Sequence, residues 1–283
     1  MPPRKPQTER RRRLGAELRI MREQAGLTIS EAAAMHGTDR TTMTNIEVGR
    51  FGVSADRVRV WASNYACRET DYVNALANMA KERGPHWWDE YRDLLNAGVL
   101  DLAEMEQYAV ALRTSQITHV PGLLQHKAYT KAVFRHAVPA LAPDDFERKV
   151  NFRMERRRVL DREGRPQFTF LIHEVALHMR FGDSNSTRAQ LKHLLEQTDR
   201  ENVTIRVIPF AAGGFATAGV STSYAYGPVA RLDMAQTDIP TGSLFQHAET
   251  PLANYREVHD RMERISLDPE ASRKFIHAEL TQL

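Results

Sequence analysis

The sequence predicts an α+β protein, an all-α helix-turn-helix unit followed by a larger α+β domain, and three observations lead there. From Leu14 to Met79 apolar residues recur at helical spacing in short runs, several of them closed by a glycine. Strand-like runs appear only later and cluster together, which favours α+β over strict strand–helix alternation. Charge is also divided unevenly. Residues 1–66 carry twelve Lys/Arg against seven Asp/Glu, leaving +5, whereas the remainder carries 27 against 29, leaving −2. A basic first quarter on a near-neutral body points to a polyanionic partner for that quarter.

Composition bounds the rest. At 283 residues, 42% apolar and 27% charged, the chain suits one large or two ordinary globular domains. The single cysteine, Cys67, excludes an internal disulfide and a cysteine-rich zinc site, and fits a reducing cytoplasm. No run approaches the ~18 apolar residues of a membrane span. The basic opening Met1–Lys5 leads into no apolar segment, so no secretory signal is expected. The expected location is the cytoplasm, with no membrane partner.

Residues 1–9, with Pro2, Pro3 and Pro6 among polar neighbours, read as a disordered basic arm. Residues 10–83 read as the DNA-binding domain. Leu14, Leu18 and Met21 form one helical stripe, which Gly26 stops. Thr28-Ile-Ser-Glu31 is a capping box that opens a slim alanine-rich helix over 29–36. Gly37 ends that helix. Asp39 caps the next, which buries Met43 and Ile46 before Gly49 closes it. Val58 and Trp61 mark a fourth helix, and Tyr72, Leu76 and Met79 a fifth. Gly84-Pro85 breaks the pattern and begins a junction over 84–100. Residues 101–283 form the α+β domain. It has helical periods near 101–113, 122–137, 143–162, 186–199, 250–265 and 268–281, and strands near 167–173, 203–209, 221–226, 232–236 and 243–247.

Two short helices joined at Gly37-Thr38 meet the requirement of a helix-turn-helix. The first is small-sided, so the second can pack closely on it. The second presents Arg40, Thr41, Thr42, Thr44 and Asn45. These side chains suit groove reading: Arg forks onto guanine, Asn onto adenine, and Thr offers a hydroxyl and a methyl. The amino end of that helix also offers backbone N–H groups to a phosphate.

The run Leu14-Gly-Ala-Glu-Leu-Arg-Ile-Met-Arg-Glu-Gln-Ala-Gly-Leu-Thr28 resembles the opening of phage-repressor-like (Xre-type) DNA-binding domains. Gly37-Thr-Asp-Arg-Thr-Thr-Met-Thr-Asn-Ile-Glu-Val-Gly-Arg50 is similar to their turn, recognition helix and closing pattern. The resemblance implies base reading by Arg40, Thr41 and Asn45, and base or phosphate contacts by Thr42 and Thr44. It places Thr28 and Arg50 at phosphate-contacting ends, and the basic run Arg10, Arg11, Arg12 and Arg13 is expected to contact phosphates too. Glu47 is expected to be structural, paired with an arginine of the first helix. Ala32-Ala33 departs from the usual Leu-Ala and softens one core contact. Such motifs occupy paired half-sites on double-stranded DNA, so a homodimer is expected.

A second resemblance covers most of the remainder. His119-Val-Pro-Gly-Leu-Leu-Gln-His126 with Tyr129, Phe152-Arg-Met-Glu-Arg-Arg-Arg-Val-Leu160, Ile172-His-Glu-Val-Ala-Leu177 and Val203-Thr-Ile-Arg-Val-Ile-Pro-Phe-Ala-Ala-Gly213 resemble, in order and spacing, the large domain of WhiJ-like actinobacterial regulators. That resemblance implies a transcriptional regulator whose second domain takes an effector or a partner protein. It also implies an alternative, an antitoxin-like protein that chiefly binds a small protein encoded nearby and uses DNA binding for autoregulation. His173-Glu174, Leu124-Gln125-His126 and residues 227–239 depart from the family pattern, so what is sensed differs if those positions touch a ligand or partner.

No constellation of residues points to catalysis, and the protein is not expected to be an enzyme. His173 and His178 are five apart, which sets their imidazoles on different helix faces, so no metal is expected. Gly213-Gly214 with Gly219 lacks the Lys-Ser/Thr of a phosphate loop, and Ser221 and Ser223 sit in no nucleophile elbow. No cofactor is expected. The basic stretch Arg148–Arg165 reads as a solvated face laced with ion pairs, the alternative being contact with an acidic partner or the DNA backbone.

Overall fold

Thr8 caps the first described helix by accepting a hydrogen bond from the backbone N–H of Arg11, so the arginine run from Arg10 to Arg13 lies on that helix. The computed structural model describes residues 7–81, 86–239 and 242–283. Residues 1–6 of the expected arm and the Gly84-Pro85 breaker lie outside them. The chain divides into two units, one reaching Asp89 and including Pro228–Leu232, the other holding Glu90–Gly227 and Asp233–Leu283.

The first unit has five helices: α1 (Glu9–Gln24), α2 (Ile29–Met35), α3 (Arg40–Glu47), α4 (Ala55–Asn64) and α5 (Thr70–Lys81). The caps read from the sequence are present. Thr28 and Glu31 form the reciprocal box, and Asp39 accepts from the N–H of Thr42 at 2.8 Å. Gly37 turns the chain between α2 and α3 at φ +60°, a left-handed conformation that costs glycine little. Leu18, Met43, Ile46, Val58, Trp61 and Leu76 are buried together in the unit's core, which Leu232 joins.

The second unit runs α6 (Ala97–Tyr108), β1 (Ala111–Gln116), α7 (Lys127–Phe134), α8 (Pro143–Arg156), β2 (Gln167–His173), α9 (Glu174–His178), α10 (Ser184–Gln197), β3 (Val203–Ile208), β4 (Thr222–Tyr226), β5 (Met234–Ile239), β6 (Gly242–Gln246), α11 (Glu249–Ile265) and α12 (Pro269–Thr281). The fold is α+β, as the sequence predicts. Six strands form one mixed sheet in the order β3-β2-β1-β4-β5-β6. The first three are parallel, and the pairs from β1 to β6 are antiparallel.

The pleat sorts side chains onto two faces. One face carries Leu112, Phe168, Phe170, Val203, Ile205 and Ala225 into a core shared with Met105, Leu124, Tyr129, Leu194 and Ile276. The other packs on α11, where Leu171 and Ile208 meet Met262, and Tyr224 and Ala235 meet Leu252. Arg113 on that second face is held by Asp260 at 2.6 Å and Glu263 at 2.9 Å. Leu171 is fully buried, so Leu171→Ala is expected to cost about 2–5 kcal/mol. Urea unfolding should show a lower midpoint at unchanged slope; a midpoint like the wild type's would mean the site collapses without loss.

Two elements were not among those expected, the short helix α9 and the central strand β1. The helical period near 101–113 ends at Tyr108, and the central strand β1 follows it. Ala111–Gln116 hides its strand character because two of the three residues facing the first core are polar, Thr114 and Gln116 beside Leu112. The basic stretch also divides. Arg148 pairs with Asp145 and Arg158 with Glu155 as an ion-paired face should, but Arg156 turns inward onto Glu106 through bonds of 2.9 and 2.5 Å. Among the described residues no helix is long and apolar enough to cross a membrane.

Candidate nucleic-acid interface

The interface is built on α3. Met43, Ile46 and Glu47 point into the unit, so the opposite side of the helix, centred on Thr41 and Asn45, faces solvent. Arg40, Thr41 and Thr44 are exposed on that outer face, and Asn45 is half-buried beside them. The Arg40 guanidinium makes no hydrogen bond or ion pair among the described residues. Just past the helix, the backbone N–H groups of Arg50 and Phe51 both donate to the Asn45 carbonyl, at 2.7 and 3.0 Å, which fixes the exposed Arg50 at the end of the reading helix. Gly49 makes this return at φ +76°, where a Cβ would lie 2.8 Å from backbone atoms of Arg11 and Arg12.

α3 is held from behind by α1. Arg22 grips Glu47 with two parallel bonds, Nε to Oε1 at 2.6 Å and Nη2 to Oε2 at 2.9 Å, and donates Nη1 to the Leu27 carbonyl at 2.7 Å. This is the structural pairing expected of Glu47. The carboxylate holds the Arg22 guanidinium above its ordinary range, against the burial that would lower it. Gly15 lets the two helices touch, since a Cβ there would sit 2.4 Å from the Ile46 carbonyl oxygen.

The threonines have distinct duties. Thr42 donates its hydroxyl to Asp39 at 2.6 Å, and Thr28 donates to Glu31 at 2.6 Å. Both protons are engaged within caps, and the hydroxyl of Thr44 is bonded back to the Arg40 carbonyl at 2.8 Å. Of the threonines that the resemblance places at the DNA, Thr41 alone has a hydroxyl without a hydrogen bond among the described residues. The Thr42 contacts hold the Asp39 carboxyl below the usual carboxylate range, so it stays ionised at the start of α3. An anionic cap there disfavours a phosphate at that helix end.

The arginine run splits by helical geometry. Arg10, Arg11 and Arg12 are half-buried at the start of α1, and Arg12 pairs with Glu9 at 2.6 Å. Arg13 is buried; it pairs with Glu17 at 2.9 Å and donates to the Arg231 carbonyl. Glu17 gathers further partners, accepting from the Tyr72 hydroxyl and lying 3.5 Å from the Arg231 guanidinium, which itself rests 4.3 Å from the centre of the Tyr72 ring. Sequence reasoning missed this cluster. Glu17 and Tyr72 each sit at ordinary helical positions, and only folding brings residue 231 to them.

A helix-turn-helix with an exposed, base-competent outer face defines the class: the protein is a DNA-binding regulator. A family model described as a helix-turn-helix domain matches residues 13–71, over this same unit. A second, described as a domain of unknown function (DUF5753), matches residues 99–278, and the chain belongs to that family. No curated protein and no solved structure matches the chain.

Proposed function

We propose that the protein is a sequence-specific transcriptional regulator of the phage-repressor-like type, that a homodimer is its DNA-bound form, and that its second unit binds an effector without catalysing a reaction. The observation that carries the DNA reading is the outer face of α3, where Arg40, Thr41, Thr44 and Asn45 lie together with Arg50 anchored beside them. Arg40, Thr41 and Asn45 set sequence preference. Arg50 and the exposed parts of Arg10 and Arg11 set affinity through phosphates.

Selection of bound fragments from random DNA tests this, and an inverted repeat with half-sites about one helical turn apart is the expected product. On the selected site, Arg40→Ala and Asn45→Ala are each expected to cost ~1–3 kcal/mol and to relax preference at one base pair. Arg50→Ala should weaken all sequences alike and reduce the steepness of the salt dependence. Binding by the wild type that is weak, blind to sequence and lost with salt would defeat the reading.

A further inference from the structure

The second unit encloses a cavity of about 780 Å³, within the ~300–1,000 Å³ typical of small-molecule sites. One wall is the sheet face that β1 shares with β4 and β5. Towards β3 this face is apolar, but on the other side of β2 the register aligns Thr114 with Ser223, and Ser223 with Gln236. These three line the cavity, as does Asp238 one pleat further on. Polar side chains on a sheet face that helices cover are costly unless something bonds to them. Thr114 and Ser223 bond to each other at 3.2 Å, and Gln236 donates to Asp238 at 2.8 Å.

The facing wall is α8. Lys149, Phe152, Arg153 and Arg156 follow helical spacing along it, and all four line the cavity. Arg156 is neutralised by Glu106. Arg153 is not neutralised in this way: its Nη1 donates to Gln125 Oε1 at 2.8 Å, its guanidinium lies 5.1 Å from the centre of the Phe134 ring, and no carboxylate among the described residues is within ion-pair distance. Burial, with the charge of Arg156 next to it, pushes the Arg153 guanidinium down to about 10, so it is still a cation near neutral pH. A cation is therefore kept in a covered site with no carboxylate in direct contact, Glu106 and Asp238 acting on it only from further off, between an aromatic ring and a polar sheet face. The carboxylates Glu106, Asp145 and Asp238 also reach the cavity and would repel a polyanion such as a nucleoside triphosphate.

We propose that this cavity binds a small organic anion, a carboxylate or sulfonate on an apolar body, with the acid group on Arg153 and the body against the apolar part of the lining, Phe134, Val133 and Phe170 among it. The inference deepens the reading of the second unit as an effector domain and rests on it. Gly122 fits the same purpose. A Cβ there would come within 3.2 Å of Arg153 Nη1, so the glycine leaves that guanidinium room to turn towards a ligand.

The probe is anilinonaphthalene sulfonate, compared with the uncharged phenylnaphthylamine that shares its rings, each titrated by fluorescence into the full-length protein. The sulfonate should saturate at one site per chain and bind more tightly than the neutral amine. Arg153→Met should weaken the sulfonate roughly ten- to a hundredfold, the loss of one charge-assisted bond, and leave the amine unchanged. Equal affinities for the two probes on the wild type would overturn the proposal without recourse to any variant. So would an Arg153→Met protein, folded by circular dichroism, that binds the sulfonate as before. Affinity for the selected DNA is measured in parallel. Saturable binding that leaves DNA affinity unchanged would overturn the regulatory reading and keep the site, whereas loss of the site with DNA binding intact would do the reverse.

Discussion

Alanine in place of Glu47 is expected to destabilise the helix-turn-helix unit by about 3–5 kcal/mol. The size follows from burial. An exposed pair of this kind contributes roughly 0–1 kcal/mol, but the Arg22 and Glu47 side chains are only 8% and 4% exposed. Removing the carboxylate strands a largely buried guanidinium, which keeps the Leu27 carbonyl and a longer, 3.5 Å contact with the exposed Glu23. DNA binding should fall with stability, because Glu47 lies on α3 itself and ties it to Arg22 of α1. Thermal unfolding of E47A beside the double variant R22M/E47L separates the two contributions. The double variant should recover most of the loss, since apolar groups of similar volume leave no charge unpaired. If E47A unfolds within 1 kcal/mol of the wild type, the pair does not hold α3 in place.

Gly15→Ala is expected to weaken DNA binding as strongly, by a different route. Replacing a mid-helix glycine normally gains ~1 kcal/mol. Here the new methyl would lie 2.4 Å from the Ile46 carbonyl oxygen, 2.5 Å from that of Glu47 and 2.8 Å from the Glu47 carbonyl carbon. Those atoms are backbone and cannot rotate aside, so α1 and α3 must separate. Overpacking of this kind costs ~1–3 kcal/mol or more, which outweighs the helix gain and displaces the recognition helix. Gly52→Ala, where nothing lies within 4 Å, is the control and should stay close to the wild type. A G15A protein with unimpaired stability and DNA affinity would show that the close approach of α1 and α3 is not required.

How far the sequence can be read depends on the distance over which each feature is encoded. The caps at Thr28 and Asp39 and the turn at Gly37 are each written within about four residues of chain, and each forms where expected. The inward stripe of α1 and α3 is a matter of helical period alone, so Leu14, Leu18, Met43 and Ile46 were legible as core. Arg13 was not legible as buried, because the consecutive arginines Arg10 to Arg13 look alike until Glu17 and residue 231 close on the last of them. Strand β1 was obscured by its own role, since residues that line a polar cavity break the alternation by which strands are recognised.

The helix-turn-helix, its caps and the outward face of α3 are encoded locally, because hydrogen bonds between near neighbours and helical period fix all three. That the remainder is an α+β domain is also legible in the sequence. Only the tertiary structure decided which arginines are spent inside the fold and which stand ready for a partner. Arg156 and Arg153 are three residues apart on one helix, yet one meets Glu106 and the other an open cavity. The difference comes from residues some fifty positions away in the chain, and no local pattern carries it.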